Sequence, residues 1–314
     1  MNNKALFKKF SEKHSKRLSF SMHYNWWNEV VEEHWDVAVV ANKEEIKAVW
    51  PYFIRKKGPW KMIAQAHLTP YAGPFLVYPE GQKEASKISF EHKIHKELIE
   101  QLPTFAELDL SFPIDFTNGL AFQWCGFEEK RKYTFLLSLQ QSEEELWSNL
   151  RENIRRQIRK AEKTISIQNK FDYLLLEDAV KDSFKQQASS FPLPDKFIER
   201  VVSYIEKYNC GQVYLAKEDN QLHAALGVIY DSNTAYYLLG GSFQAYKNSG
   251  AMSLLMWNAI KDAKHTGIKQ FNFEGSSIPS IENYLRGFGG KLNSFCRMTK
   301  YDSKSLAILK NLKA

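Results

Sequence analysis

The sequence has few cysteines and no long apolar run, and both shortages narrow the class of protein. Its three cysteines, Cys125, Cys210 and Cys296, are far apart, odd in number and outside any C-x-x-C pair. This argues against a disulfide framework and against a cysteine-based zinc site. No stretch approaches the ~18 apolar residues of a membrane span, and the basic start lacks the apolar core of a secretory signal. We therefore expect a cytoplasmic protein without a transmembrane segment.

Several catalytic motifs are also missing from the sequence. It contains no H-E-x-x-H metal pair, no G-x-S-x-G nucleophile turn and no G-x-x-x-x-G-K-[ST] phosphate loop. We therefore predict no metal site and neither serine-hydrolase nor P-loop chemistry. No Cys–His or Ser–His pairing marks a covalent intermediate, so any group transfer is expected to be direct.

Positive charge is the first feature present in excess. The net charge is +7, and residues 151–170 hold seven cations against two acids. Guanidinium groups bind phosphate through two parallel hydrogen bonds, so this segment favours an anionic partner such as a CoA phosphate or RNA. The alternative is a solvated helix face. Because no aromatic residues interleave the basic stretch, DNA is not expected as a partner. The candidate anion-binding residues here are Arg155, Arg156, Arg159 and Lys160.

Hydrophobic periodicity predicts alternating helices and strands. Ser142 and Glu145 form an S-x-x-E capping box, and apolar residues follow at helical spacing from Leu146 to Ile158. We therefore predict a single helix after Ser142, with one apolar and one basic face. Helical spacing also covers 84–101, 177–189, 195–208 and 249–265, and strand patterns cover 104–112, 135–139, 213–217, 224–230, 235–240, 269–275 and 294–301.

The two halves of the sequence repeat the same order of patterns. Y-A-G-P-F in the first half parallels L-G-G-S-F in the second, and E-L-D-L-S-F-P parallels F-N-F-E-G-S-S-I-P. Each half also carries a Gly-Phe pair, at 126–127 and 287–288, before its final strand. This order predicts an internal duplication into two tandem modules of the α+β (α/β) class, covering 1–140 and 141–314. Each module is expected to have a mixed, mostly antiparallel, twisted sheet flanked by helices.

A glycine near a predicted helix start gives a second candidate anion site. Free amide groups and the helix dipole make a helix N-terminus attractive to phosphate, and glycine lets a pyrophosphate approach the backbone. The alternative is a helix merely capped by a polar side chain. The candidate residues are Lys247, Asn248, Ser249, Gly250 and Ala251.

Polar residues around the end of the predicted strand 269–275 are candidates for catalysis. Glu274 stands where a carboxylate is placed to receive an amine proton. Ser276, in the Gly-Ser-Ser run that follows, is a candidate substrate-binding residue. Arg286 precedes a Gly-Phe-Gly-Gly turn and is a candidate to hold a carbonyl or a phosphate. The alternatives are a Glu274 that caps the next helix or pairs with an arginine, and a simple surface turn at Arg286.

These segments together resemble the Fem-type branch of the GNAT acyltransferase superfamily, which includes the BioF-like acetyltransferase domain. The resemblance rests on L-R-E-N-I-R-R-Q-I-R-K-A-E-K, L-G-G-S-F, the helix after N-S-G-A-M, and F-N-F-E-G-S-S-I-P-S-I-E-N-Y-L-R-G-F-G-G. It covers about 141–301 well and 18–140 more loosely. The chain departs from the superfamily's (Q/R)-x-x-G-x-(G/A) pyrophosphate signature, with Lys247 in its first position and Met252 in its last.

The resemblance implies two GNAT-like domains with different tasks. The N-terminal domain would be an eroded copy on the acceptor side, where Trp26 and Tyr71 shape the pocket for a small-molecule or peptide amine. The C-terminal domain would hold the donor, with Tyr237 as a further substrate-binding residue. The donor that the resemblance implies is acyl-CoA, with aminoacyl-tRNA as the alternative and no metal.

The resemblance also implies a reaction, which is transfer of an acyl or aminoacyl group to an amine. In this scheme a neutral amine attacks the donor carbonyl, Glu274 or a bound water takes the proton, and backbone amides or Arg286 stabilise the oxyanion. Two alternatives remain open. One is an aminoacyl-tRNA-dependent transferase that acts on a peptidoglycan precursor, and the other is a non-catalytic binding module with the same fold.

Overall fold

The structure, a computed structural model, describes residues 2–42, 45–275, 278–303 and 305–307. The α-helices run over Asn3–Lys13 (α1), Tyr24–Trp26 (α2), Glu84–Glu100 (α3), Leu120–Trp124 (α4), Glu143–Asn149 (α5), Glu152–Ala161 (α6), Tyr173–Gln186 (α7), Phe197–Tyr208 (α8), Ala251–His265 (α9) and Pro279–Arg286 (α10). The strands run over Trp35–Asn42 (β1), Glu45–Lys57 (β2), Trp60–Ala64 (β3), Phe75–Leu76 (β4), Glu107–Ser111 (β5), Glu128–Ser138 (β6), Ser166–Asn169 (β7), Gly211–Glu218 (β8), Gln221–Tyr230 (β9), Thr234–Ser242 (β10), Gln270–Asn272 (β11) and Lys291–Tyr301 (β12).

The chain divides into two compact units. Unit 1 comprises Met1–Lys132 and Ser294–Ala314, and unit 2 comprises Tyr133–Asn293. Within the described ranges, no helix is both long and apolar enough to cross a membrane.

The sheet of unit 1 has the strand order β1-β2-β3-β5-β12, with β4 beside β2. The pairs β1–β2 and β2–β3 are antiparallel, β3–β5 is parallel, and β5–β12 is antiparallel. The core beside this sheet is aromatic. Trp26, Trp27 and Trp50 are fully buried, and the Trp50 ring lies 5.7 Å from those of Phe112 and Phe122 in edge-on contacts. The high aromatic content of the sequence is therefore used in packing.

The sheet of unit 2 repeats the pairing pattern of unit 1. Its order is β7-β8-β9-β10-β11-β6. The pairs β7–β8, β8–β9 and β9–β10 are antiparallel, β10–β11 is parallel, and β11–β6 is antiparallel. One hydrophobic cluster fills this unit and includes Ile154 and Ile158 of α6, Leu255 and Ile260 of α9, and Phe271 of β11.

The two halves of the sequence exchange their last strands, which the sequence patterns do not predict. Strand β6, the last pattern of the first half, pairs with β11 of unit 2, with Phe271 opposite Leu137. Strand β12, the last of the second half, pairs with β5 of unit 1, with Met298 opposite Leu110. The units therefore differ from the predicted ranges 1–140 and 141–314. The assignment of acceptor and donor tasks to the two domains stays a prediction.

The predicted single helix after Ser142 is wrong, because two helices occupy this segment. The capping box is confirmed: Glu145 N donates to Ser142 Oγ at 3.2 Å, and Ser142 N donates to Glu145 Oε2 at 2.7 Å. Helix α5 then ends at Asn149, and Leu150 and Arg151 are extended before α6 begins. The break is stabilised from a distance, since Arg151 N donates to Gly287 O at 2.9 Å.

Candidate active site

The parallel pair of unit 2 opens at one end, and the candidate site lies there. Strands β10 and β11 pair through Thr234↔Gln270, Ala235↔Phe271 and Tyr236↔Asn272, where the pairing ends. Strand β10 continues to Ser242, and its register with β9 shifts between Tyr237 and Leu239. Such a bulge bends a strand and increases its twist. The end of β11 is therefore free of β10 just where Glu274 follows.

Glu274 lies in a turn after β11 and not within the strand that the sequence predicted over 269–275. The strand ends at Asn272, and Phe273 N still donates to Phe135 O at 3.0 Å. Glu274 then adopts φ 60°, in the left-handed region that residues with a Cβ rarely occupy. Backbone strain of this kind concentrates at functional sites.

The Glu274 carboxyl is poised to exchange a proton near neutral pH. Its Oε1 is buried, with no hydrogen-bond partner among the described residues. Burial disfavours the charged form and raises the pKa of Glu274 to about 8. A carboxyl with such a pKa is suited to general acid–base catalysis at the working pH of most enzymes.

Gly275 completes this turn and admits no larger residue. Its φ is 66°, and a Cβ there would lie 2.3 Å from Tyr133 O. The close approach of β6 fixes the turn from behind. Glu274 and Gly275 thus form a consecutive left-handed pair whose conformation depends on packing against β6.

The start of α9 brings together the two candidate anion-binding segments. Gly250 has φ 83°, and a Cβ there would lie 2.3 Å from Gln157 O in α6. Lys160 Nζ donates to Asn248 O at 2.8 Å, so the basic helix contacts the loop directly. The first-turn amides of a helix have no intrahelical acceptor; of these, Ala251 N donates to Ser249 Oγ at 3.2 Å. This arrangement has the features of an anion site at a helix N-terminus.

The three arginines of α6 differ in the contacts that their side chains make. Arg155 pairs with Glu152 at 2.8 Å and donates to Ser148 O at 2.9 Å. Arg159 also reaches Glu152, at 3.6 Å, and lies over the Trp147 ring. Arg156 is exposed, and no ion pair or hydrogen bond of its side chain occurs within the described part of the chain. Arg156 is therefore the α6 arginine best able to meet a ligand.

A polar connection missed by the sequence reasoning runs from the start of α9 to α10. Ser253, 1% exposed, donates to Gln157 Oε1 at 2.7 Å and forms a second hydrogen bond with the Tyr284 hydroxyl at 3.2 Å. Burial raises the pKa of Tyr284, and the neighbouring Tyr237 adds to this rise. Burial raises the pKa of Tyr237 to about 12. No local sequence signal distinguishes these residues from other helix and strand positions.

Arg286 lies in a different environment from the one predicted. It is exposed at the end of α10, where Nε pairs with Glu282 at 3.0 Å and Nη2 donates to Asn283 Oδ1 at 3.2 Å. Arg151 donates to the same amide oxygen at 2.8 Å. No described contact joins Arg286 to Glu274, and its catalytic role stays a prediction.

The remaining predicted substrate-binding residues are distributed over both units. Trp26 and Tyr71 lie in unit 1 and are buried, with Trp26 Nε1 donating to Thr69 Oγ1 at 2.9 Å and the Tyr71 ring 5.3 Å from that of Phe295. Their acceptor-binding role stays a prediction, as does that of Tyr237. Ser276 lies outside the described residues. Among the residues described, no group of three or more His, Cys, Asp or Glu side chains is arranged to hold a metal ion.

One protein-family model matches a segment of this chain. Residues 148–284 match the family model for the acetyltransferase (GNAT) domain. The matched segment includes the basic helix, the start of α9 and Glu274. No curated protein sequence matches the chain.

Solved structures with a similar fold extend over nearly the whole chain. FemX is similar over 98% of this chain and 97% of its own, at 12% identity and a TM-score of 0.66. The C-terminal domain of a putative lysylphosphatidylglycerol synthetase from Agrobacterium fabrum covers 99% and 96%, at 11% identity and a TM-score of 0.59. A tandem GNAT protein from the clavulanic acid biosynthesis pathway covers 95% and 94%, at 10% identity and a TM-score of 0.50. At these identities the likeness is one of fold.

Proposed function

Because residues 148–284 match the family model for the acetyltransferase (GNAT) domain, we propose that the chain is an N-acyltransferase. It moves an acyl group from acyl-CoA to an amine acceptor by direct attack. The observation that carries this proposal is the half-buried Glu274 at the open end of the parallel pair, with a left-handed backbone, a buried Oε1 and a pKa of about 8.

In this proposal Glu274 acts as the general base. The acceptor nitrogen forms a bond to the acyl carbonyl carbon, the thioester C–S bond breaks, and the sulfur leaves as a thiolate. Glu274, in its carboxylate form, takes the proton that the nitrogen releases. A carboxylate freed from hydration accepts this proton more readily than an exposed one, which is the catalytic gain from its burial.

The donor phosphates are proposed to bind at the start of α9. The amides of the first turn and the positive end of the helix dipole attract them. Gly250 keeps the backbone close to α6, while Lys160 and Arg156 add positive charge on that side. Met252, where the superfamily signature has a small residue, is half-buried against the core of unit 2.

Replacing Glu274 with Gln tests the proposal. The change keeps the shape of the side chain and removes the base, so acyl transfer should fall by roughly 10²–10⁴-fold. Product would be measured by mass spectrometry, with acetyl-CoA and longer acyl-CoAs against a panel of amines. The matched control is Glu143→Gln, which alters an α5 carboxyl bound to His265 and should leave turnover unchanged. Undiminished turnover in Glu274→Gln would remove Glu274 from the mechanism.

The pH dependence of the wild-type turnover rate is a second test of Glu274 as the general base. The base works when ionised, so turnover should rise with pH through a midpoint near the pKa of about 8 and then level off. Ligand binding to the wild type without any product would instead support a non-catalytic module.

A second candidate donor is aminoacyl-tRNA, and the exposed basic side of α6 favours it. Arg156, Lys160 and Lys163 are all exposed, and a polyanion would use several such cations at once. Binding through several phosphates weakens steeply as salt increases. Tight, salt-sensitive RNA binding with no response to any acyl-CoA would move the assignment to this donor.

A further inference from the structure

Two buried polar side chains hold the turn that carries Glu274. Asn272, 1% exposed, ends β11 and accepts a hydrogen bond from Glu274 N at 2.9 Å through Oδ1. The same oxygen accepts from Thr134 Oγ1 at 2.7 Å. Thr134 is fully buried in β6 and comes from a part of the chain far from Asn272 in sequence.

The hydrogen-bond chemistry leaves only one orientation for the Asn272 amide. A backbone N–H is always a donor, so the Glu274 N–H requires the oxygen of the amide and not its nitrogen. The Thr134 hydroxyl meets that same oxygen and must therefore donate. Thr134 thus donates to the same oxygen that captures the backbone of Glu274 and helps to hold the Asn272 amide in place.

From this arrangement we propose that Thr134 and Asn272 are positioning residues for the catalytic carboxyl. They act through the backbone of Glu274, holding it in the left-handed conformation from which its side chain meets the acceptor amine. The inference rests on the proposed role of Glu274 as the base.

A second buried threonine, Thr234, provides a structural comparison, because it contacts the first residue of β11 whereas Thr134 contacts the last. Thr234 in β10 accepts a hydrogen bond from Gln270 Nε2 at 2.8 Å and is 5% exposed. It matches Thr134 in residue type and burial, but its contact lies at the paired end of β10 and β11. The loss of its hydroxyl should therefore disturb the fold to a similar degree without reaching Glu274.

The experiment compares Thr134→Val with Thr134→Ser and Thr234→Val. Thr134→Val should lower kcat by about tenfold to a hundredfold, the size of effect that small misplacements of catalytic groups produce, with KM values within about twofold of wild type. It should also move the midpoint of the kcat–pH profile to lower pH, because a released carboxyl is more hydrated. Thr134→Ser keeps the hydroxyl, so its kcat and the midpoint of its kcat–pH profile should stay at the wild-type values. Thr234→Val should change neither kcat nor the midpoint. Equal kcat losses in the two valine variants would overturn the proposal.

A second measurement keeps the inference testable apart from turnover. If Glu274 is buried by this turn, Glu274→Gln should raise the unfolding temperature at pH 9 in the wild-type background, and this gain should shrink in Thr134→Val. An undiminished gain would overturn the positioning role, whether or not any acyl transfer is detected. Full turnover in Glu274→Gln would instead defeat the proposed function. Should Thr134→Val not fold, Thr134→Cys replaces it, because the thiol is a weaker donor of similar size.

Discussion

The parallel strand pairs of the two units start alike and end differently. In unit 1, β3 and β5 pair through Met62↔Glu107, Ile63↔Leu108 and Ala64↔Asp109. Beyond these pairs, the side chain of Gln65 fills the gap between the two strands. Its Oε1 accepts from Ser111 N at 2.8 Å, and its Nε2 donates to Thr69 O. In unit 2, β10 and β11 part after three pairs, and Glu274 lies in the turn that follows β11.

The difference shows how one fold serves as scaffold in one copy and as candidate site in the other. In unit 1 both backbone groups of Ser111 are bonded, because Ala72 N donates to its carbonyl at 2.8 Å. A ligand could bond to the backbone of Ser111 only by breaking the hydrogen bonds that Gln65 and Ala72 make with it. We therefore expect the donor site at the open pair of unit 2, and the assignment of the first half as an eroded copy stays a prediction.

The largest effect is expected from adding a methyl group to Gly275, in the turn that follows β11. Gly275→Ala places a Cβ 2.3 Å from Tyr133 O in a left-handed conformation, so the free energy of unfolding should fall by about 4 kcal/mol, with loss of turnover. The control is Gly267→Ala, where φ is 85° but no atom lies within 4 Å, and the loss should be only about 1–2 kcal/mol. Chemical denaturation measures both. Equal losses would show that β6 does not constrain the turn.

A moderate effect is expected from pH, with opposite signs in the two units. Burial lowers the pKa of His95 in unit 1 to about 4, and the nearby Glu91 only partly offsets this. The unfolded chain binds the proton more readily between pH 6.5 and about 4, so stability contributed by neutral His95 is lost as pH falls through this range. Glu274 has a raised pKa, so the stability of its protonated form is lost as pH rises from about 4.5 to about 8.

Urea denaturation across this range tests the difference. Between pH 6.5 and 4 the free energy of unfolding of the wild type should fall by a His95 contribution on the order of 3 kcal/mol, and His95→Leu should abolish this contribution. The control His34→Asn changes an exposed histidine and should leave the fall unchanged. Glu274→Gln should flatten the opposite slope above pH 4.5. A His95→Leu protein that keeps the full acid-side loss would contradict the assignment to His95.

The smallest effect is expected from opening the pair of unit 1. Gln65→Leu removes the side chain that closes the pair and leaves Ser111 N and Thr69 O without it, so the protein should lose about 1–3 kcal/mol of stability. The kcat of the remaining folded protein should not change. The control Gln123→Leu replaces an exposed glutamine of α4. A loss no greater than that of Gln123→Leu would mean that Gln65 does not close the pair.

Local patterns in the sequence were sufficient to locate α3, α7, α8 and α9, and the strands from β5 onward except β7. Helix α3 was predicted over 84–101 and is observed over Glu84–Glu100, because its apolar spacing is regular and Pro103 follows. The capping box at Ser142 was equally local. By contrast, the break at Leu150 preserves the apolar spacing of a single helix and depends on a bond to Gly287, so the pattern alone did not reveal it.

The candidate site was predictable only where one residue carried the signal. Glu274 stood out as a carboxylate at a strand end, and the Gly250 loop as a helix start. Ser253 and Tyr284 did not, since a polar residue on a helix becomes informative only when burial and a partner are known. Thr134 was hidden for a further reason, because the predicted domain boundary assigned it to the other module.

The exchanged strands also shape how the protein can be made. The ribosome releases β5 long before β12, its antiparallel neighbour, so unit 1 has to wait for the last part of the chain before its sheet is complete. Until then β5 presents an open edge that is able to pair wrongly with other chains. Cutting the gene at the point of duplication would give two fragments, each lacking the strand that the other carries. The two halves are therefore better regarded as obligate partners in biogenesis than as modules that can be expressed separately.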